Sequence, residues 1–100
     1  MLEQLLEIFP NKPRNYFYLS KNTYLTMQFI NNNPTKPWNW EYISANPNIT
    51  LKDIIDNPDK PWDWHNVSRN TNITMKFIID NPDKHWSWRD ISANIRMQDI

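Results

Sequence analysis

The chain has no glycine and no cysteine among its 100 residues. Without cysteine there are no disulfides and no thiolate metal sites, and the redox compartment stays undetermined. Without glycine the usual source of left-handed backbone is missing; asparagine, abundant here, is the best substitute. Net charge is missing too, because 11 basic side chains balance 11 acidic ones. That excludes a global basic field for nucleic acid or an anionic membrane, and leaves open only a local basic strip. No apolar run approaches the roughly 20 residues of a membrane span. The start, Met1-Leu2-Glu3-Gln4-Leu5-Leu6-Glu7, carries acids where a secretory signal carries bases. The expectation is a soluble intracellular protein of one domain's size, with no membrane contact.

What the chain does have is a repeat. Pro34-Thr35-Lys36-Pro37-Trp38-Asn39-Trp40 returns 24 residues later as Pro58-Asp59-Lys60-Pro61-Trp62-Asp63-Trp64. It returns again as Pro82-Asp83-Lys84-His85-Trp86-Ser87-Trp88, and a worn copy precedes it at Pro10-Asn11-Lys12-Pro13-Arg14-Asn15-Tyr16. A fixed period of this length signals stacked supersecondary units, each too small to bury its apolar face alone.

One period reads as two short helices. Asn39, with Asn15, Asp63 and Ser87 in register, is an N-cap for a helix starting at the next residue. Trp38 and Ile43 then form a hydrophobic staple, as Trp62 with Val67 and Trp86 with Ile91 do. Asn46, matched by Asn22, Asn70 and Asn94, is expected to stop this helix in a left-handed conformation. Thr50, matched by Thr26 and Thr74, caps the second helix, with Asp53 completing a capping box. Asn57-Pro58 ends it, as Asn33-Pro34 and Asn81-Pro82 end theirs. Helices of about two turns are unstable alone in water, so stacking must hold them. The fold class is therefore all-α: an α-solenoid of about four two-helix repeats with an N-terminal capping helix. Its expected divisions are 1–9 for the cap, 10–33, 34–57 and 58–81 for repeats, and 82–100 for a truncated last repeat.

The string Asn57-Pro58-Asp59-Lys60-Pro61-Trp62-Asp63-Trp64, followed by Asn70-Thr71-Asn72-Ile73-Thr74, resembles the Trp-rich tandem repeats of giant DNA viruses of amoebae, the Mimivirus-like group. The similarity covers roughly residues 10 to 100. It implies a short member of that family, located in the host cytoplasm or the virion. It carries over no catalytic site. An excess of Asn, Ile, Lys and Tyr, the mark of AT-rich codons, agrees with that origin.

Candidate chemistry is sparse. Trp40, Trp64 and Trp88 are expected to pack between repeats, while Trp38, Trp62 and Trp86 near helix starts are expected to be half exposed. Lys12, Lys36, Lys60 and Lys84 recur once per period and could track a phosphate backbone. The neighbouring Asp59 and Asp83 favour a solvated turn with weak ion pairs instead. Ser20, Ser44, Ser68 and Ser92 recur without a partner base, so a hydroxyl bonded to the preceding turn outweighs a nucleophile. His65 and His85 are single occurrences, short of a metal-ligand set, and no cofactor is implied. No carboxylate pair stands out as acid and base, and three glycosylation sequons coincide with caps and helix positions.

The function expected is a non-enzymatic scaffold that binds a protein or a second copy of itself; single-stranded nucleic-acid binding through the Lys/Trp ladder is the alternative. The positions that vary between copies, Glu41, Tyr42, His65, Asn66, Arg89 and Asp90, are the candidate partner surface. Met97 and Ile100, in the last helix, are candidates for self-association. Coupled repeats predict unequal Trp truncations in chemical denaturation. Trp64→Ala should cost about 3–5 kcal/mol, and Trp88→Ala less. Equal losses would contradict coupling.

Overall fold

A computed structural model describes residues 13–94, with only the backbone described for residues 13–15. The expected cap helix over residues 1–9, and Lys12, Met97 and Ile100, lie outside the described residues. Among the described residues seven helices and no strand follow one another: α1 (Pro13–Lys21), α2 (Met27–Asn32), α3 (Trp40–Ala45), α4 (Leu51–Asp56), α5 (Trp64–Val67), α6 (Met75–Asp80) and α7 (Trp88–Asn94). The described chain is all-helical. None of these helices is long and apolar enough to cross a membrane.

The helix starts follow the local capping pattern. Asn39 Oδ1 accepts from Tyr42 N at 3.0 Å and Asp63 Oδ1 from Asn66 N at 3.2 Å. Thr26, Thr50 and Thr74 each accept from the N–H three residues on. Asp53 returns a bond from Thr50 N at 2.9 Å, closing the capping box. α1 departs from the pattern, because it begins at Pro13 and takes Asn15 into the helix instead of using it as a cap. In the later copies, Trp38, Trp62 and Trp86 hold the chain extended ahead of the cap. Each indole N–H donates to the carbonyl five residues back, and each backbone N–H to the carbonyl two back. Arg14 takes the indole's place in the first copy, and Pro13 suits a first helical position.

Asparagine does not stand in for glycine. No described residue has positive φ. Asn46 sits at φ −68°, ψ 122°, in extended backbone. Its amide is used for bonding instead. Oδ1 accepts from Asn48 N at 2.9 Å, and Nδ2 donates to the carbonyls of Ser20 at 3.0 Å and Asn22 at 2.9 Å. Asn70 does the same one period on, reaching Ser44, Asn46 and Ile49 carbonyls at 3.1, 3.2 and 3.1 Å. Asn94 donates to Ser68 and Asn70 carbonyls at 3.1 and 2.8 Å. A glycine could make none of these bonds.

Serine supplies a second row. Ser20, Ser44 and Ser68 Oγ each accept the backbone N–H of the next cap residue, Asn39, Asp63 and Ser87, all at 2.9 Å. Ser20 and Ser68 also donate to the carbonyl four residues back, the bond to the preceding turn expected from sequence. Each of these serines is fully buried, and among the described residues no buried side-chain N or O lacks a partner.

The indoles are buried in the reverse of the expected order. Trp38, Trp62 and Trp86 are buried, Trp40 and Trp64 half-buried, and Trp88 is 59% exposed. The first Trp of each pair fills the core beside Ile43, Val67 and Ile91 while its N–H stays bonded. The second is half-covered where the following copy's first Trp packs edge-on against it, and Trp64 also stacks on Phe77. Trp40–Trp62 and Trp64–Trp86 centroids lie 5.3 Å apart, and Tyr16–Trp38 lie 5.2 Å apart.

The deeper indole therefore takes the larger penalty: Trp62→Ala should cost about 3–5 kcal/mol, Trp64→Ala less and Trp88→Ala least in urea unfolding. Asn70→Asp tests the amide row. The introduced carboxylate would face carbonyl oxygens, costing about 2–4 kcal/mol at neutral pH. Burial would raise its folded pKa above its unfolded value, so the variant should regain stability as pH falls through that folded value. A loss independent of pH would contradict the assigned contacts.

Candidate functional site

Steps of 24 residues align the first helices, and each contributes two neighbouring positions to one series: Phe17 and Tyr18, Glu41 and Tyr42, His65 and Asn66, Arg89 and Asp90. The four residues of this series on α3 and α5 and the two on α7 are the expected partner surface. Glu41, His65 and Arg89 are exposed; Tyr42, Asn66 and Asp90 are half-buried. α1 packs against α3, and α3 against α5, so these positions are neighbours across helices.

Two clusters form along this face. At one end Phe17 packs edge-on against Tyr42, centroids 5.1 Å apart. Lys21 Nζ lies 4.3 Å from the Tyr42 ring centroid and 4.9 Å from that of Phe17. A cation shared by two rings is a favourable contact at a partly exposed site. At the other end Arg69 Nε donates to Asp90 Oδ2 at 3.1 Å, and His65 Nε2 lies 3.5 Å from the same oxygen. Asn66 Nδ2 donates to Asp63 Oδ2 at 2.9 Å. The Ser87 hydroxyl donates to Asp90 Oδ2 at 2.7 Å. That bond is the largest influence and holds the Asp90 carboxyl below its ordinary range; desolvation opposes it, and the Arg69 guanidinium and His65 add to the lowering. Phe17, Tyr18, Lys21 and Arg69 were not singled out from sequence. The 24-residue step from Glu41, Tyr42 and Ala45 points to all four.

The lysines sit differently from expectation. None of Lys36, Lys60 and Lys84 pairs with Asp59 or Asp83; the described ion pairs are Lys52–Asp56, Lys76–Asp80, and Asp90 with Arg69 and His65. Instead Lys36 Nζ lies 5.8 Å from the Tyr16 ring and Lys84 Nζ 5.0 Å from the Trp64 ring. Each reaches back to the second aromatic of the preceding copy, because its turn lies over that ring. On the second-helix side, α4 and α6 border a cleft of about 370 Å³, lined by Ile54, Ile55, Trp62, Trp64, Phe77 and Lys84 among others. Among the described residues no group of three His, Asp or Glu is placed to hold a metal ion.

The chain matches no protein-family model, no curated protein and no solved structure.

The Asp90 cluster has a pH signature. A carboxylate whose folded pKa is depressed contributes stability above its unfolded value, near 3.8, and that contribution is lost as pH falls through the folded value. Asp90→Asn should therefore flatten the fall in thermal midpoint below about pH 4. An unchanged acid limb would show that the cluster contributes nothing.

Proposed function

We propose that the chain is an α-solenoid of two-helix repeats and serves as a non-enzymatic scaffold. Its binding surface is the outer face of the first helices, and its partner is another protein. The observation that carries this reading is a contrast between rows. The rows that bond from one copy to the next stay constant: Ser20, Ser44 and Ser68, with Ser92 in register, and Asn46, Asn70 and Asn94, with Asn22 in register. Positions on the outer face change from Phe17 to Glu41, His65 and Arg89. A surface that varies over a constant frame can be tuned without disturbing the stack. Inter-copy bonds at the same separations of 19, 24 and 26 residues support stacking, as does an outline of 46 × 22 × 19 Å. The resemblance to giant-virus Trp-rich repeats would place this scaffold in an infected cell or a virion.

Nucleic-acid binding has less support. Lys36 and Lys84 lie against rings, and the half-buried indoles are engaged edge-on by other indoles. Few free faces remain for base stacking.

Exchanging charge on the outer face tests the proposal. Glu41→Lys with Arg89→Glu should change stability by no more than about 0.5 kcal/mol and abolish cross-linking to the protein that wild type captures. Retained capture by that folded variant would contradict the assigned face. A single-stranded oligonucleotide should show no salt-sensitive binding at low ionic strength. Affinity falling steeply with salt would favour the nucleic-acid reading.

A further inference from the structure

The junction of α4 and α6 differs from the one before it. At the earlier junction, of α2 and α4, Asn31 stands in the column of Ile55 and Asp53 in the column of Phe77. There Asn31 Nδ2 donates across to Asn57 Oδ1 at 3.2 Å. At the later junction Ile55 has no amide to give. Asn81 Oδ1, the counterpart of Asn57 Oδ1, accepts no bond among the described residues. The Asn81 side chain is nevertheless held in place, since its Nδ2 donates to Phe77 O at 2.8 Å. The exchange also leaves apolar surface in water, because Ile55 is 54% exposed. The resulting cleft of about 370 Å³ has an apolar wall of Ile54, Ile55, Trp62, Trp64 and Phe77. Lys84 and Asp80 also line it. Asp80 is already held by Lys76 at 2.7 Å. Lys84 Nζ lies 5.0 Å from the Trp64 ring centroid and pairs with no carboxylate among the described residues. An ammonium over a ring keeps its N–H donors for an anion.

We infer that this cleft binds the C-terminal aromatic residue of a partner polypeptide. An apolar pocket with a few convergent polar groups is the usual form of a ligand site. A cavity of roughly 150 Å³ takes a benzene ring, so this cleft has room for a larger ring with a polar arm. The ring packs among Ile54, Ile55 and Phe77. The terminal carboxylate meets the Lys84 ammonium, and the backbone N–H of the same residue donates to Asn81 Oδ1. A C-terminal aromatic residue brings these three groups within a few bonds of one another. An internal aromatic residue lacks the carboxylate. None of the six outer-face positions lines the cleft, so the site is a second contact that does not depend on the first-helix face.

A short peptide of serine and alanine ending in tryptophan tests the site, titrated into the full chain by calorimetry as free acid and as C-terminal amide. Saturable one-to-one binding of the acid is expected. Amidation should weaken it at least about tenfold, because a charge-assisted hydrogen bond is lost. Lys84→Gln should weaken the acid to a similar degree and leave acid and amide equal. Ile55→Asn installs the residue of the earlier junction, which bonds the facing asparagine and narrows the apolar wall, and should abolish binding. Because Ile55 is exposed, this variant should keep the helical circular dichroism of wild type. No binding of the acid, equal binding of acid and amide by wild type, or unchanged binding by Ile55→Asn overturns the inference. 2-Naphthoate carries a ring and a carboxylate without the peptide N–H. Binding as tight as that of the peptide would assign the cleft to a free aromatic acid and overturn the polypeptide occupant.

Discussion

A side-chain amide presents donors and an acceptor at once, and the described helices are joined through that property. Asn46 and Asn70 each close a turn of their own copy with Oδ1 and reach carbonyls of the preceding copy with Nδ2. The groups involved are buried, so each bond matters chiefly through the cost of leaving its partner unsatisfied. Helices of four to nine residues have little stability of their own. Their order comes from being tied to the segment before.

The remaining packing depends on this tie. With Asn70 fixed to Ser44 and Asn46, α5 is set against α3, and Val67 and Ile43 lie fully buried in the same core. Trp62 then fills the space between copies while its N–H is bonded to Asn57 O at 2.8 Å. Its edge covers Trp40, and the lysine two residues earlier in the next copy covers Trp64. Burial of apolar surface, aliphatic and aromatic together, stabilises the core at about 25 cal/mol per Å². The polar rows supply the register.

Legibility in the sequence followed the range of each interaction. Thr50 with Asp53, and Asn39 ahead of Trp40, were readable as caps because both partners lie within four residues. The use of Asn46 was not readable, since its acceptors lie 24 and 26 residues away and a left-handed stop explains the same letter. The depth of Trp40 depends on Trp62 in the following copy, and helix periodicity within one copy does not carry that information. Lys84 looked paired with Asp83 beside it, yet its ammonium lies over Trp64, twenty residues back. Variation between copies marks six residues of the outer face, Glu41, Tyr42, His65, Asn66, Arg89 and Asp90. Phe17 and Tyr18 lie in the same columns one copy earlier, and Lys21 and Arg69 lie in the column of Ala45.

Amide hydrogen exchange under native conditions tests the tie between copies most directly. The N–H of Asp63 bonds to Ser44 Oγ and that of Ser87 to Ser68 Oγ, so both report on junctions between copies and not on helix interiors. The account predicts that these two amides exchange together with the buried amides of α3 and α4, through one opening whose free energy equals that of global unfolding. Exchange of each copy through its own shallower opening would contradict it.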